Sequence, residues 1–280
     1  MVRPAANPFA GEEFARVWDG WRGRRCRALE AGGLRTMFVE RPLGPLCTRA
    51  ALPYGIPVFL DDHEPGRHEW LRSFFTLPRC VRSSASLFDK PRHEYDGVHW
   101  HATDRSLVTL DDRWWSRLDN DVRRRAQRAR EVGWQVTELD AEALAAWGAA
   151  FTETDRRHAQ QSRFDLPFVQ HLRRELPDPD RLRLIAANRE AEAGALHVIL
   201  AAGDYEFSWN LVSTDRARSE GVIPFLTLAW FEAAQQRGCR LADLGASPSA
   251  GVTRFKQSFG VETATHYTGI RRWHLGGGGT

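Results

Sequence analysis

The hydrophobic and polar positions of the chain become regular only from about residue 105 onward. Short apolar runs and alternation predict strands, and apolar residues recurring every three to four positions predict helices. The predicted strands are Ser106–Leu110, Trp134–Leu139, Arg181–Asn188, Gly194–Ala202, Tyr205–Ser213, Arg240–Leu244 and His266–Trp273. The predicted helices are Asp111–Glu131, Asp140–His158, Pro167–Leu176, Pro224–Arg237 and Gly251–Phe259.

Turn and capping residues support these boundaries. Gly133 and Gly238 follow two of the helices, as C-terminal glycines do, and Asp140 is a good N-cap for a third. Gly203 joins two of the strands as a hairpin. Hairpin-paired strands in the middle, followed by strands connected through helices, predict an α/β fold with a mixed sheet.

The first hundred residues carry fewer periodic signals, because they are rich in Pro, Gly and Arg. They predict one strand, Leu34–Glu40, and one short helix, Glu64–Phe75, with a proline-rich loop over 41–59. We therefore expect a reduced N-terminal domain at 1–104, a main domain at 105–274 and a flexible tail at 275–280.

Composition indicates a soluble globular protein, with 42% hydrophobic and 27% charged residues and a net charge of only +3. The N-terminus has no apolar signal-peptide core, and no run approaches the ~18 apolar residues of a membrane span. The four cysteines are widely separated, which predicts free thiols and a cytoplasmic protein. His99 and His101 have no neighbouring carboxylates in a metal-ligand pattern, so no metal is expected.

Lysine is rare in this chain, since all but two of its 39 Lys and Arg residues are arginine. One of the two, Lys256, follows a strand that ends at Asp243 and a small-residue loop containing Gly245 and Ser247. Ligands of α/β proteins often bind beyond the carboxyl ends of strands, where small residues let them approach backbone N–H groups. The alternative is an ordinary strand-to-helix connection with a solvated lysine.

The same stretch, DLGASPSAGVTRFKQSFG, resembles the C-terminal motif of the FemABX-type transferases, which have a GNAT-type acyltransferase fold. In that motif a strand ends in Asp, a glycine-bearing loop follows, and the next helix carries Phe-Lys-x-x-(Phe/Trp)-Gly. The matching positions here are Asp243, Gly245, Phe255, Lys256, Phe259 and Gly260.

The resemblance covers about 105–273 well and 1–104 poorly. Within the first range, weaker similarities are an arginine-bearing helix in LDNDVRRRAQRAREVGWQV and a Thr-x-x-Arg segment at Thr154 and Arg157. In the second range, the loop LPYGIPVF at 52–59 is more loosely similar. The resemblance implies two GNAT-like halves, of which the N-terminal one is reduced in this chain.

The resemblance also implies an activity: transfer of an aminoacyl group from aminoacyl-tRNA to an amine, in a peptide natural product or a cell-wall precursor. Lys256 would stabilise the oxyanion that forms on the ester carbonyl, with aminoacyl-tRNA as co-substrate and no cofactor. Phe255 would form an apolar wall, although it fits a core position equally well. The candidate substrate-binding residues are Phe255, Arg254, Thr154, Arg157, Asn210, Trp209, Asp243 and Ser247.

Two of these candidates lie on the strand YEFSWNL, where alternation puts Trp209 on a face with Tyr205, Phe207 and Leu211. The opposite face would carry Glu206, Ser208 and Asn210, and its polar side chains could line a cleft. The aromatic row fits a buried core face.

The helix at 119–131 offers a surface for tRNA. Arg124 and Arg128 share one face of the helix, with Arg123 nearby, and such a face can bind phosphates. The opposite side, with Val122, Ala126 and Ala129, should face the core. The alternative is a solvated helix in an arginine-rich protein.

Two other functions remain open. An acyl-CoA-dependent N-acyltransferase of the same fold would hold the CoA pyrophosphate on a (Gln/Arg)-x-x-Gly-x-(Gly/Ala) turn. The corresponding segment here is Arg218-Ser-Glu-Gly221-Val-Ile223, whose acidic Glu220 and bulky Ile223 count against CoA. The third reading is a non-catalytic RNA-binding protein.

Overall fold

In the computed structural model, the chain is described over residues 12–43, 47–51, 64–87, 89–140, 142–158, 165–247 and 249–272. The chain divides into two compact units: the C-terminal unit contains 105–264, and the N-terminal unit contains 7–104 with 265–280. The domain predicted at 105–274 differs from this division in its last residues. The loop LPYGIPVF and the tail at 275–280 lie outside the described residues.

The C-terminal unit contains a mixed sheet. Its strands are β6 (Gln135–Glu138), β7 (Leu182–Arg189), β8 (Glu192–Ala202), β9 (Tyr205–Ser213), β10 (Leu241–Ala246) and the part of β5 (Val98–Thr109) from residue 105 onward. They lie in the order β5-β10-β9-β8-β7-β6. The β9–β10 pair is parallel, and the neighbouring pairs are antiparallel.

Helices cover the sheet of this unit. They are α3 (Asn120–Glu131), α4 (Gly148–His158), α5 (Leu166–Glu175), α6 (Asp215–Ser219), α7 (Val222–Gln236) and α8 (Ala250–Gln257). Helix α7 is apolar nearly all round and lies in the centre of the core, where Trp230 and Phe231 are fully buried. Its packing explains why a helix can carry so few charges in a chain of this composition.

The N-terminal unit also contains sheet strands of both directions. They are β1 (Arg25–Ala31), β2 (Leu34–Pro42), β3 (Thr48–Ala51), β4 (Cys80–Leu87) and the part of β11 (Glu262–Arg272) from residue 265 onward, in that order. The β3–β4 pair is parallel, and the β1–β2, β2–β3 and β4–β11 pairs are antiparallel. Helices α1 (Glu12–Trp18) and α2 (Glu64–Phe75) complete the unit, and stacked Trp70 and Phe74 fill its core.

The structure confirms the α/β fold with a mixed sheet, the helix at Glu64–Phe75, the three central strands and their Gly203-Asp204 hairpin. The interpretation of the first hundred residues missed α1, β1, β3, β4 and the first half of β5. Strand β1 lies at the edge of the sheet and carries charges, and β3 has four residues, so neither shows the alternation of a half-buried strand.

The single helix predicted at Asp111–Glu131 was wrong in its first half. A short 3₁₀ turn, Trp114–Arg117, precedes α3, and Leu118 and Asp119 between them are extended. The break exists because Trp114 is buried against Phe231 and because the backbone N–H of Asp119 donates to the carbonyl of Ser258, at 2.9 Å. Both contacts are long-range, so no local signal marks the break.

Candidate active site

The parallel strands β9 and β10 stop pairing at one point of the sheet. Leu241, Ala242 and Asp243 pair with Tyr205, Glu206 and Phe207, and the pairing ends there. Gly245 then turns the chain with φ +76°, a conformation that favours glycine. Beyond the pairing, the carboxyl ends of two neighbouring strands can admit a ligand.

Asp243 lies fully buried at this strand end and accepts hydrogen bonds on both oxygens. Oδ2 accepts from Arg105 Nε and Nη2, at 2.9 and 2.7 Å, and from the Tyr205 hydroxyl at 2.7 Å. Oδ1 accepts from the backbone N–H of Gly245, at 2.6 Å. Asp243 was predicted to bind substrate, and these four bonds instead occupy its carboxylate with protein donors.

Tyr205 and Arg105 form the rest of this buried network. Burial and, after it, the charge of Asp243 raise the pKa of Tyr205 well above its ordinary value, so its hydroxyl stays protonated as a donor. The Arg105 guanidinium also lies 4.9 Å from the centre of the Phe207 ring, a cation–π contact. Arg105 was not among the predicted site residues because it directly precedes the predicted apolar strand Ser106–Leu110, and Tyr205 was predicted only as a core residue.

Lys256 lies on α8 and is only 8% exposed. Its Nζ donates to the carbonyl oxygens of Gly245, at 2.9 Å, and Ala246, at 2.8 Å. Burial lowers the pKa of Lys256 to about 8; the Asp243 carboxylate opposes this shift, and the positive Arg105 adds to it. The rare lysine is therefore a buried ammonium at a strand end, rather than a solvated surface group.

The residues at both ends of α8 fix this helix in place. At its N-terminus, the Ser249 side chain accepts a hydrogen bond from the N–H of Val252. Just after its C-terminus, Phe259 is fully buried. Gly260 has φ +67°, and a Cβ there would lie 2.6 Å from the Cβ of Arg117. The Phe and Gly that end the motif thus dock α8 against the turn preceding α3.

The other α8 candidates differ in their surroundings. Phe255 is partly buried, packs against the core cluster and contacts Phe259 with ring centres 5.1 Å apart. Arg254 is exposed on the same helix, and Ser247 is half-buried in the loop just after β10. Arg254 and Phe255 lie within two residues of Lys256, and Ser247 directly follows Ala246, whose carbonyl accepts from Lys256. Their contact with substrate stays a prediction.

Thr154 and Arg157 tie α4 to the end of β9. The Thr154 hydroxyl accepts from the backbone N–H of Ser213, at 3.0 Å, and donates to its carbonyl, at 3.3 Å. Arg157 donates to Thr154 Oγ1, to the carbonyl of Ser213 at 2.8 Å and to Asp215 at 2.6 Å. The Thr-x-x-Arg segment therefore shapes the backbone where β9 leads into α6.

A bulge in β9 changes the predicted alternation. Val198 pairs with Asn210 and Ile199 with Ser208, so Trp209 is the extra residue. Trp209 contacts Phe168 of α5 edge-on, at 5.5 Å, while Leu211 packs with the core cluster around α7. Trp209 and Leu211 thus do not share a face as the alternation predicted.

The alternation along β9 suggested that Glu206 could line a cleft, but Glu206 does not do so. It is buried, and its carboxylate accepts from Trp230 Nε1 at 2.6 Å and from Arg237 Nη2 at 2.8 Å. The polar face of β9 is therefore sealed against α7 at this position.

The arginine helix α3 has the orientation predicted for it. Val122, Ala126 and Ala129 are buried, while Arg124 and Arg128 are exposed, with the Arg124 side chain 82% exposed and paired with Asp121. Arg123 is half-buried, and its guanidinium donates to the carbonyl of Leu118 and to Asn120.

The described residues contain neither a metal-binding cluster nor a membrane-spanning helix. Among the residues described, no group of three His, Cys, Asp or Glu side chains is arranged to hold a metal ion. The helices of the described segments include none with the length and apolar character needed to cross a membrane.

Known proteins share this architecture. The sequence profile of the acetyltransferase (GNAT) domain family matches residues 116–257, just over half of the chain. No curated protein sequence matches the chain significantly. Among solved structures, the chain is similar to FemX, with a TM-score of 0.73 and 12% identity over 94% of this chain and 92% of FemX.

Two further structures have the same fold. L-PGS from Bacillus licheniformis gives a TM-score of 0.62 and 13% identity, over 89% of this chain and 85% of that one. A tandem GNAT protein from the clavulanic acid biosynthesis pathway gives 0.54 and 12%, over 89% and 83%. The chain therefore belongs to the acetyltransferase (GNAT) domain family, as the motif around Lys256 predicted, and is an acyltransferase with the fold of FemX.

Proposed function

We propose that this acyltransferase moves an aminoacyl group from aminoacyl-tRNA to an amine acceptor, in a peptide natural product or a cell-wall precursor. The observation that carries the proposal is the buried Lys256 ammonium at the end of β10. The similarity in fold to FemX supports it.

The reaction requires a hydrogen-bond donor at the carbonyl oxygen of the aminoacyl ester. The acceptor amine attacks that carbon, the C–N bond forms and the carbonyl oxygen becomes an oxyanion. Lys256 has three N–H groups, and two of them donate to the Gly245 and Ala246 carbonyls. The third is left to stabilise the oxyanion; the C–O bond then breaks, and the amine's proton leaves with the tRNA hydroxyl.

The protonation state of Lys256 suits this role. With a pKa of about 8, about nine-tenths of the molecules carry the ammonium at pH 7. Because the group is largely removed from water, its charge acts in a medium of low dielectric, where such donors are most effective.

A tRNA donor is supported by the connection between α3 and α8. Asp119, the N-cap of α3, bonds to Ser258 just after α8, and Gly260 packs on Arg117. At 1.5 Å of rise per residue, Arg124 and Arg128 lie within roughly 15 Å of this junction. Phosphates bound along the exposed face of α3 would thus lie beside the helix that carries Lys256.

A specific observation favours acyl-CoA as a second candidate donor. The Glu220 carboxylate is held by Trp134 Nε1, at 2.7 Å, and by Arg189, at 3.0 Å, so its charge is compensated within the protein. Ile223 is partly buried and packs against the core cluster. These contacts weaken the two objections to acyl-CoA that the sequence raised.

The test of the donor is product formation, measured by mass, from charged tRNA with and without prior ribonuclease treatment, and from acyl-CoA. Product that requires intact tRNA supports the proposal. Equal product from acyl-CoA in the presence of ribonuclease contradicts it and favours the second candidate. RNA binding without turnover of either donor would favour a non-catalytic RNA-binding protein.

The tRNA surface is tested by Arg124→Gln/Arg128→Gln. The log–log dependence of tRNA affinity on salt should flatten by about two, one for each lost phosphate contact. The matched control is Arg72→Gln/Arg174→Gln, which removes the same charge from exposed positions elsewhere. An equal change in both double variants would show that net charge alone, and not α3, binds the tRNA.

The catalytic role is tested by Lys256→Ala, with Lys90→Ala as control because Lys90 is the only other lysine and is exposed. Loss of an oxyanion donor should lower the rate by about 100-fold or more. Lys256→Arg should also be poor, because a planar guanidinium does not replace a compact ammonium. Unchanged turnover in folded Lys256→Ala would remove Lys256 from the mechanism.

A further inference from the structure

The ion pair between Arg105 and Asp243 is buried at the Lys256 site. Arg105 is 3% exposed and Asp243 is fully buried, so neither charge is screened by water. Both guanidinium contacts go to the same carboxylate oxygen, at 2.7 and 2.9 Å. Burying such an ion pair costs desolvation energy, and losing one partner strongly destabilises the protein. A pair at this position therefore suggests a role in the site.

The pair connects to Lys256 through one residue, Gly245. The other oxygen of Asp243 accepts from the N–H of Gly245, and the carbonyl of Gly245 accepts from Lys256 Nζ. A Cβ at Gly245 would lie 3.4 Å from the Phe207 ring and 4.0 Å from that Nζ. Asp243 therefore orients the turn whose carbonyls hold the ammonium.

Electrostatics gives Arg105 a second effect. A buried ammonium beside a lone carboxylate would form an ion pair with it and become a structural cation. Here the carboxylate already pairs with Arg105 and accepts from Tyr205, and the Arg105 charge repels the ammonium. These are the charged and titratable groups that act on Lys256 in the described contacts.

We propose that Arg105 is a positioning residue for Lys256: by engaging Asp243 it holds the Gly245–Ala246 turn and prevents the carboxylate from capturing the ammonium, which stays available to substrate. Its importance for acyl transfer rests on the proposed function. The charge balance does not, because it can be measured without any substrate.

The experiment uses the full chain labelled with ¹³Cε-lysine. With only two lysines, the spectrum has two lysine Cε signals, and Lys90→Arg identifies which one belongs to Lys256. The pKa of Lys256 is then read from its signal as a function of pH in the wild type and in three variants. Near-ultraviolet circular dichroism establishes that each variant is folded.

For each variant we expect the pKa of Lys256 to change in a stated direction. Arg105→Gln keeps a hydrogen-bond donor for Asp243 but removes the charge, so the Lys256 pKa should rise by about one or more. Arg105→Lys keeps the charge and should leave the pKa near that of the wild type. It adds a third lysine signal, and comparison with Arg105→Lys/Lys256→Met identifies the signal that belongs to Lys256. Asp243→Asn removes the attraction and should lower it, a change that unfolding cannot imitate because an unfolded lysine titrates higher.

Turnover provides the second readout. Arg105→Gln should lose about tenfold in kcat/KM, and Arg105→Lys should recover part of it. A folded Arg105→Gln whose Lys256 pKa is unchanged or lower would overturn the inference, as would a higher pKa in folded Asp243→Asn. If the chain proves to transfer no acyl group, the titrations still decide the charge balance, so failure of the proposed function is seen separately.

Discussion

The stability of Lys256→Met relative to wild type should fall as the pH rises. Met has a similar length and no charge, so the substitution removes a buried ammonium and leaves the cavity filled. The physical reason lies in the lowered pKa, since folding disfavours the charged form of this amine.

The magnitude follows from the two pKa values. A lysine titrates at about 10.5 in the unfolded chain and at about 8 in the folded one. Between these values the unfolded state binds more protons, so the free energy of unfolding of the wild type rises with pH by up to about 1.4 kcal/mol per unit. Between pH 7.5 and 9.5 this term amounts to about 2 kcal/mol.

The assay is urea unfolding of wild type and Lys256→Met at pH 7.5 and 9.5. The cysteines and other groups that titrate in this range are common to both proteins and cancel in the difference. The free energy of unfolding of Lys256→Met, taken relative to wild type, should therefore fall by about 2 kcal/mol over the interval.

The control is Lys90→Met, which replaces an exposed lysine and should show no such pH dependence relative to wild type. A difference in stability between Lys256→Met and wild type that stayed constant between the two pH values would refute the reasoning, because it would mean that the folded environment does not disfavour the ammonium.

Three further results are expected. With an acceptor amine of low pKa, kcat/KM should fall tenfold per pH unit above about 8 as Lys256 loses its proton, and a flat profile to pH 9.5 would contradict its role as a charged donor. Gly260→Ala should lower stability by about 2 kcal/mol or more in urea unfolding, because it adds a clash with Arg117 to an unfavourable φ, whereas Gly238→Ala, with φ +84° and open space, should lose only about 1. His197 is fully buried, and burial lowers its pKa to about 3, so acidification from pH 7 to 4.5 should destabilise wild type by about 2.5 kcal/mol more than His197→Gln; equal losses would show that His197 is not buried neutral.

The sequence by itself determined the elements with strong local periods. Strands β7 to β9, the apolar helix α7 and helix α2 were predictable because their side-chain spacing is set by the geometry of a single element. The buried side of α3 followed from the same argument. The motif around Lys256 also indicated the GNAT fold, through its resemblance to the C-terminal motif of the FemABX-type transferases.

Only the tertiary structure decided which polar groups share the interior. Arg105 and Asp243 lie 138 residues apart, so no local pattern could show that they form an ion pair. Nor could a local pattern show that both carboxylate oxygens of Asp243 accept hydrogen bonds from the protein itself. The bulge at Trp209 depends on the register between β8 and β9, and the break before α3 depends on Ser258. Periodicity encodes which face of an element is buried; the energies of buried charges and hydrogen bonds depend on what lies opposite that face, which is set only when distant segments pack.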